Sequence, residues 1–385
     1  MKKLAAALLA ALALTACQTV GDAYDRLFGG SRPAQKPAEL VAFTPTAQPR
    51  VLWQGNVGAA DKTVFFPAVT GNVVFAGSAG GQVAGFQANT GAGVAQFSTG
   101  APLSGGVGAS GSLVLASTPK GEVVAYDRSG KLLWRTAVGG EVLAPAVAEG
   151  NLVVVRTSDG RIFALDANDG KRRWVYQRST PALSVRSYTG VAVERGAVFA
   201  GFPGGRLVAL NLANGGAGWE SIVALPRGTT ELERVADVIG LPIVDGTQVC
   251  AVAYQGRVAC FDVQSGTTNW AREISSYVGM SADNRNLYIT DDRNAVVALD
   301  KGTGASLWKQ DKLSGRSVTA PLALGRYVIV GDFEGYVHFL SREDGAFAAR
   351  IATDDSGILA PPVAIDLSTF IVQTRKGGIY AITLQ

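Results

Sequence analysis

One segment recurs eight times along this chain: a turn residue, a variable residue, and a short apolar run. It reads GQVAGF from Gly81, GEVVAYD from Gly121, GRIFALD from Gly160 and GRLVALN from Gly205. It continues as GRVACFD from Gly256, NAVVALD from Asn294, GYVHFLS from Gly335 and GGIYAIT from Gly377. Successive copies lie 40, 39, 45, 51, 38, 41 and 42 residues apart. Around each copy the same order returns. An apolar strand precedes it, and a turn with Gly follows four residues past an Asp or Asn, as from Asp166 to Gly170. Then comes an outer strand that often carries Trp: Trp134, Trp174, Trp219, Trp270 and Trp308. A Pro-apolar start such as Ala144-Pro145-Ala146-Val147 opens the next unit. Four short strands per unit of this length, punctuated by glycine, predict the blades of a propeller. The 48 glycines suit many tight turns rather than long helices.

The last copy stops at Ile382-Thr383-Leu384-Gln385, so its blade lacks an outer strand. A lone matching segment, Arg50-Val51-Leu52-Trp53-Gln54, precedes the first complete unit. Pairing the two closes a ring of eight four-stranded antiparallel blades and removes two exposed sheet edges. The expectation is an all-β, eight-bladed propeller over residues 48–385, closed by the strand at Trp53.

The repeat A-x-D-x-x-x-G-x-x-x-W, present as ALDANDGKRRW (Ala164 to Trp174) and ALDKGTGASLW (Ala298 to Trp308), resembles that of quinoprotein-like, PQQ-type propellers. The beginning of the chain narrows the resemblance. Lys2 and Lys3 precede an apolar stretch from Leu4 to Leu14, too short to span a bilayer as a helix. It ends in Leu14-Thr15-Ala16-Cys17, which resembles a bacterial lipobox. That resemblance implies a signal peptide over 1–16 and a lipidated Cys17. Gln18 stands where an inner-membrane retention signal carries Asp, which points to the outer membrane. Residues 17–47, with Gly29-Gly30-Ser31-Arg32-Pro33, read as a flexible tether. Repeat, lipobox and size together resemble the propeller lipoproteins of the outer-membrane β-barrel assembly (BAM) machinery.

Composition excludes several alternatives. Removal of residues 1–16 takes away Lys2 and Lys3, so the net charge falls from +4 to +2. This leaves no electrostatic footprint for nucleic acid. His338 is the only histidine and lies inside a repeat strand, so no Ser–His–acid set forms around it, and no Cys/His cluster has zinc spacing. No catalytic residue, metal site or cofactor is assigned. The recurrent Asp166, Asp262 and Asp300 are expected to cap turns through their own backbone. The alternative function is a quinone-dependent (PQQ) dehydrogenase, whose relatives share the repeat. Those enzymes are similar in a calcium site and in a disulfide between neighbouring cysteines, whereas Cys17, Cys250 and Cys260 are nowhere adjacent. A third reading, a propeller binding cell-wall sugars, requires exposed aromatics on the opposite face.

Cys250 and Cys260 flank the turn at Gln255-Gly256. A two-residue turn places Phe261 opposite Cys250 and puts Cys260 on the other sheet face, while a bulge reverses this. Disulfide and buried thiols both stay open.

The two largest spacings are consecutive, and their extra residues fall between an outer strand and the next blade. Those connections emerge side by side on one face, where long loops are free to acquire function. The first carries Leu183, Val185, Arg186 and Tyr188; the second runs from Arg227 to Asp237. Thr230 and Glu233 fit a capping box, predicting a short helix there. In the barrel-assembly lipoproteins, an L-S-[LV]-R stretch and an Asp in the following insertion bind the periplasmic domains of BamA. Leu183, Val185 and Arg186 match the first and Asp237 the second, whereas Ile239 replaces a further acid. The resemblance implies a non-catalytic scaffold on the periplasmic face of the outer membrane, held by its lipid alone. Its implied partners are BamA, the other BAM subunits and unfolded outer-membrane proteins, whose insertion it aids.

Overall fold

The computed structural model describes residues 36–384. Cys17 and the expected signal peptide lie outside the described residues. Alternating apolar strands and turn glycines build eight four-stranded antiparallel sheets. Blades 1 to 7 span residues 68–98, 108–137, 147–177, 191–222, 238–272, 279–310 and 322–352. Blade 3 shows the pattern: Val147–Glu149 innermost, then Leu152–Arg156, Arg161–Asp166 and Arg172–Gln177 outermost. Blade 8 combines Val363–Ala364, Thr369–Gln373 and Gly378–Thr383 with Arg50–Asn56 as its outer strand. Arg50 pairs with Thr383 and Asn56 with Gly378, so the ring closes at the strand of Trp53 as expected.

Neighbouring blades are joined by one repeated contact. Trp219 of blade 4 lies on the turn glycine of blade 5, where a Cβ on Gly266 would sit 2.6 Å from the indole. Gly266 also has φ +70, a conformation that disfavours any Cβ. The indole N–H of Trp219 donates to the Val263 carbonyl at 3.0 Å. Trp53, Trp134, Trp174, Trp270 and Trp308 repeat both features. Blade 1 uses Phe97 over Gly130 instead. The recurrent aspartates cap these turns: Asp166, Asp262 and Asp300 accept from the backbone N–H groups of Asn168, Ser265 and Thr303, each at 2.8 Å.

Blade 7 breaks the series, because Ala349 stands at its tryptophan position opposite Phe339. The missing bulk is supplied from the segment expected to be tether. From Ala38 to Ala47 the chain lies along the outer strand of blade 7 as a strap, and buried Ala47 packs into the cluster of Ala348, Ala349 and Val337. Ala38 N donates to Ser314 O at 2.9 Å, and Thr46 N donates to Ala348 O at 2.9 Å. Phe43 stacks on Phe347 with ring centroids 5.4 Å apart. Arg316 donates to Ala38 O at 2.9 Å and Arg350 donates to Val41 O at 3.2 Å.

Buried His338 and Asp332 hold those two arginines in place. Arg350 Nε donates to His338 Nδ1 at 3.2 Å, so the ring proton sits on Nε2 and is donated to Asp332 at 2.9 Å. Asp332 also accepts from Arg316 Nε at 2.8 Å. Burial first, then the charges of Arg350 and Arg316, depress the His338 pKa, against the pull of Asp332.

The Cys250 register departs from the two-residue turn considered above. The turn has three residues, Tyr254-Gln255-Gly256, closed by Ala253 N donating to Arg257 O at 3.0 Å, with Gln255 at φ +47. One extra residue flips the facing, as strand periodicity requires. Cys250 therefore sits opposite Cys260, and a disulfide joins them.

Two outcomes follow. Gly266→Ala should lower the unfolding free energy by about 1–3 kcal/mol through overpacking against Trp219, beyond its backbone cost. Gly246→Ala, with φ +60 and nothing within 4 Å, should show the backbone cost alone; equal losses in chemical denaturation would refute the latch. For His338, the folded pKa lies below the unfolded value of about 6.5, so its stabilisation is intact above that pH and lost as pH falls through the folded value. Denaturation midpoints should fall from pH 7 to pH 5, with faster amide exchange at Thr46 and Ala47. His338→Gln should flatten that slope, and an unchanged slope would remove the histidine from the lock.

Candidate functional site

Each outer strand hands over to the next blade's inner strand on one face of the ring, the face that also carries the turns between second and third strands. Residues 178–190 and 223–237, the connections following blades 3 and 4, come out there as neighbours. A single carboxylate ties them together. Asp237, at the end of the second connection, accepts from Val185 N of the first at 2.6 Å and from Gly204 N at 3.1 Å. Its carbonyl receives Tyr254 N at 2.8 Å.

Asp237 is only 3% exposed, so it does not face solvent as a gripping side chain would. Its work is to hold the connection that displays Leu183 and Arg186. Burial pushes its carboxyl above the usual range, opposed by the two N–H groups and the charge of Arg156. Burial likewise draws Arg156 down to about 10. Arg156 donates to Thr189 O at 2.8 Å, fixing the far end of the same connection.

Arg186 and Leu183 point outward. The Arg186 side chain is largely exposed and donates to Glu141 of the preceding connection at 2.7 Å. Leu183 is 43% exposed, and Val185 and Arg186 line a small cavity with Ser184, Pro203 and Asp237. Val185, Arg186 and Tyr188 also form one wall of a larger, mainly apolar depression of about 560 Å³ at the centre of this face. Leu241, Tyr277 and Pro321 line its other sides.

The structure thus brings Val185, Arg186 and Asp237 together with Leu183 at the rim. Tyr188 of the first connection joins them, and Glu141 and Leu241 complete the surface without having been assigned to it from the sequence. Leu241 is 47% exposed at a β-bulge between Ile239 and Ile243. The Pro242 inside an apolar run was the signal for that bulge. Ile239 is buried opposite Val252 in the core cluster that also holds Met280 of the next blade, so no acid could face a partner from that position without repacking the blade interface.

The capping box of the second connection forms: Thr230 N donates to Glu233 Oε2 at 3.1 Å, and Glu233 N donates to Thr230 Oγ1 at 3.2 Å. The expected helix stops after one turn, Arg234 N to Thr230 O at 3.1 Å. With its nitrogen assigned inward, the Gln255 amide lies 3.0–3.2 Å from the carbonyls of Leu232, Glu233 and Val235, and its two N–H groups are shared among them as the cap. Leu225 and Leu232 stay exposed on the same surface. Among the described residues, no three His, Cys, Asp or Glu side chains converge as a metal site.

Comparison with known proteins adds four findings. A family profile described as outer membrane protein assembly factor BamB matches residues 79–310. The BamB of Nitrosomonas eutropha is 45% identical over 90% of this chain and 85% of its own. The crystal structure of BamB from Moraxella catarrhalis superposes with a TM-score of 0.79 at 27% identity, covering 87% of this chain and all of that one. Quinohemoprotein alcohol dehydrogenase from Comamonas testosteroni superposes at 0.72 with 12% identity, a likeness of fold alone.

Asp237→Asn removes the charge and turns an N–H₂ toward one of two backbone donors. Amide exchange at Val185 or Gly204 should rise about tenfold or more, matching the 1–3 kcal/mol of a stranded buried donor. Unchanged protection at both would show that Asp237 does not position the connection.

Proposed function

The chain belongs to the family of outer membrane protein assembly factor BamB, and from that membership we propose that it is a non-catalytic scaffold subunit of the machinery that folds and inserts outer-membrane proteins. It docks on the periplasmic domains of BamA through Leu183, Val185 and Arg186, with Asp237 as the positioning residue beneath them. What supports this reading most is the Asp237 carboxylate, which fixes two neighbouring long connections so that Leu183 and Arg186 are presented on a rigid base. Arginine beside large apolar groups over a preorganised backbone is the composition of binding hot spots. Exposed Leu225, Leu232 and Leu241 extend the apolar area around them.

Anchoring falls to Cys17, lipidated and leading through residues 18–37 to the strap. The protein is then held at the periplasmic face of the outer membrane, within reach of the other BAM subunits and of unfolded clients. A quinone-dependent dehydrogenase has only the shared fold in its favour.

Arg186→Glu places a like charge beside Glu141 while leaving a largely exposed position, so the fold should persist. Co-purification with BamA should fall at least tenfold, in line with about 2–5 kcal/mol for a disrupted interfacial charge contact. Retention of full-strength co-purification by a folded Arg186→Glu protein would overturn the assignment.

A further inference from the structure

On the outer side of blade 6 lies a groove of about 570 Å³. Glu273, Ser275, Ser306, Leu307 and Lys309 are among its walls. The repeat places a counterpart of each forty-one residues further on: Ser314, Arg316, Phe347, Ala348 and Arg350. Those five are the residues that hold the strap on blade 7. The backbone supports the equivalence. Asp292 N donates to Ser275 O at 2.9 Å, as Phe333 N donates to Arg316 O at 3.1 Å. Trp308 stands opposite Ala298 as Ala349 stands opposite Phe339. In blade 7 the chain's own strap fills this place, where Ala349 stands for tryptophan; in blade 6 Trp308 already covers Gly345, so only the strap's contacts along the outer strand carry over.

We propose that the blade 6 groove docks an extended, basic segment of a second protein, laid along the outer strand as the strap lies along blade 7. Leu307 O occupies the place of the carbonyl that receives Thr46 and Ala47, on a strand whose outer edge pairs with no other strand among the described residues. Lys309 occupies the place of Arg350, which donates to a strap carbonyl. Its ammonium rests 3.1 Å from Asp291 and is half exposed. Leu307, 50% exposed, and Trp308 offer apolar surface where blade 7 presents Ala348 and Ala349.

Charge selects the ligand. The groove carries Glu273, Asp291 and Asp292 against Arg293 and Lys309. In blade 7 the counterparts of Glu273, Asp291, Asp292 and Arg293 are Ser314, Asp332, Phe333 and Glu334, so blade 6 has one more carboxylate there, with Glu273 3.9 Å from the Arg227 guanidinium. A strap from a second copy would bring Glu39, next in the chain to the Ala38 that reaches Ser314 O, to the stretch where Glu273 takes the place of Ser314. Like charges there disfavour it, whereas a basic residue is favoured.

The test uses the purified full chain and a fluorescent peptide of residues 37–47 carrying Glu39→Lys. Saturable binding is expected, weakened at least tenfold by Leu307→Lys and by Asp292→Lys, both on the exposed rim. Val175→Lys, at an exposed outer-strand position of blade 3, should leave binding unchanged. The peptide with native Glu39 should bind at least fivefold more weakly. Absence of saturable binding, or binding indifferent to Leu307→Lys and Asp292→Lys, would overturn the proposal. So would equal affinity for the native peptide, which would indicate exchange of straps between copies.

Discussion

An aromatic ring from the outer strand of one blade rests on a glycine in the outer turn of the next, and seven joints of the ring are made this way. Everything else in the molecule presupposes that contact. A single four-stranded sheet of short strands cannot bury both of its faces, so each blade is stable only against its neighbours. The contact asks for two residues at once: a large flat side chain and a residue with no Cβ in left-handed backbone. This double requirement explains why tryptophan and glycine keep their spacing while the residues between them vary. It also leaves the loop face free, because the latch sits at the opposite end of the blades from the long connections.

The eighth joint shows what happens when the requirement cannot be met. Blade 8 is assembled from two distant parts of the chain and has no turn leading to its outer strand, hence no glycine to receive a ring. Blade 7 correspondingly has Ala349. The strap fills that joint, and the only histidine of the chain is spent on holding it. What composition describes as linker is therefore a structural part from Ala38 onward.

Periodicity made the blade number, the closing strand and the adjacency of the two long connections legible, because each is a matter of counting along the chain. What counting could not settle shares a physical cause. The Cys250 hairpin hinged on whether Gln255 would accept a positive φ, a choice made by the tertiary carbonyls its side chain reaches. The capping box at Thr230 was local and formed, but helix propagation was not local and failed. The strap depends on Arg316 and Arg350, some three hundred residues away, which no window of sequence around Phe43 can reveal. For Asp237 the motif indicates an acid and not which way it turns, and burial among backbone N–H groups is a tertiary outcome.

Closure between Arg50–Asn56 and Gly378–Thr383 constrains the order of events when such a chain folds from its beginning. The strand of Trp53 is among the first parts of the propeller to appear and must wait, unpaired, for nearly the last. Intermediate blades can form in passing, each resting on its predecessor, but the circle has no stable three-quarter version. Contacts of such long sequence separation make the final step slow. The single strand left waiting has an open edge and apolar residues, the features that invite capture by other chains in a crowded compartment.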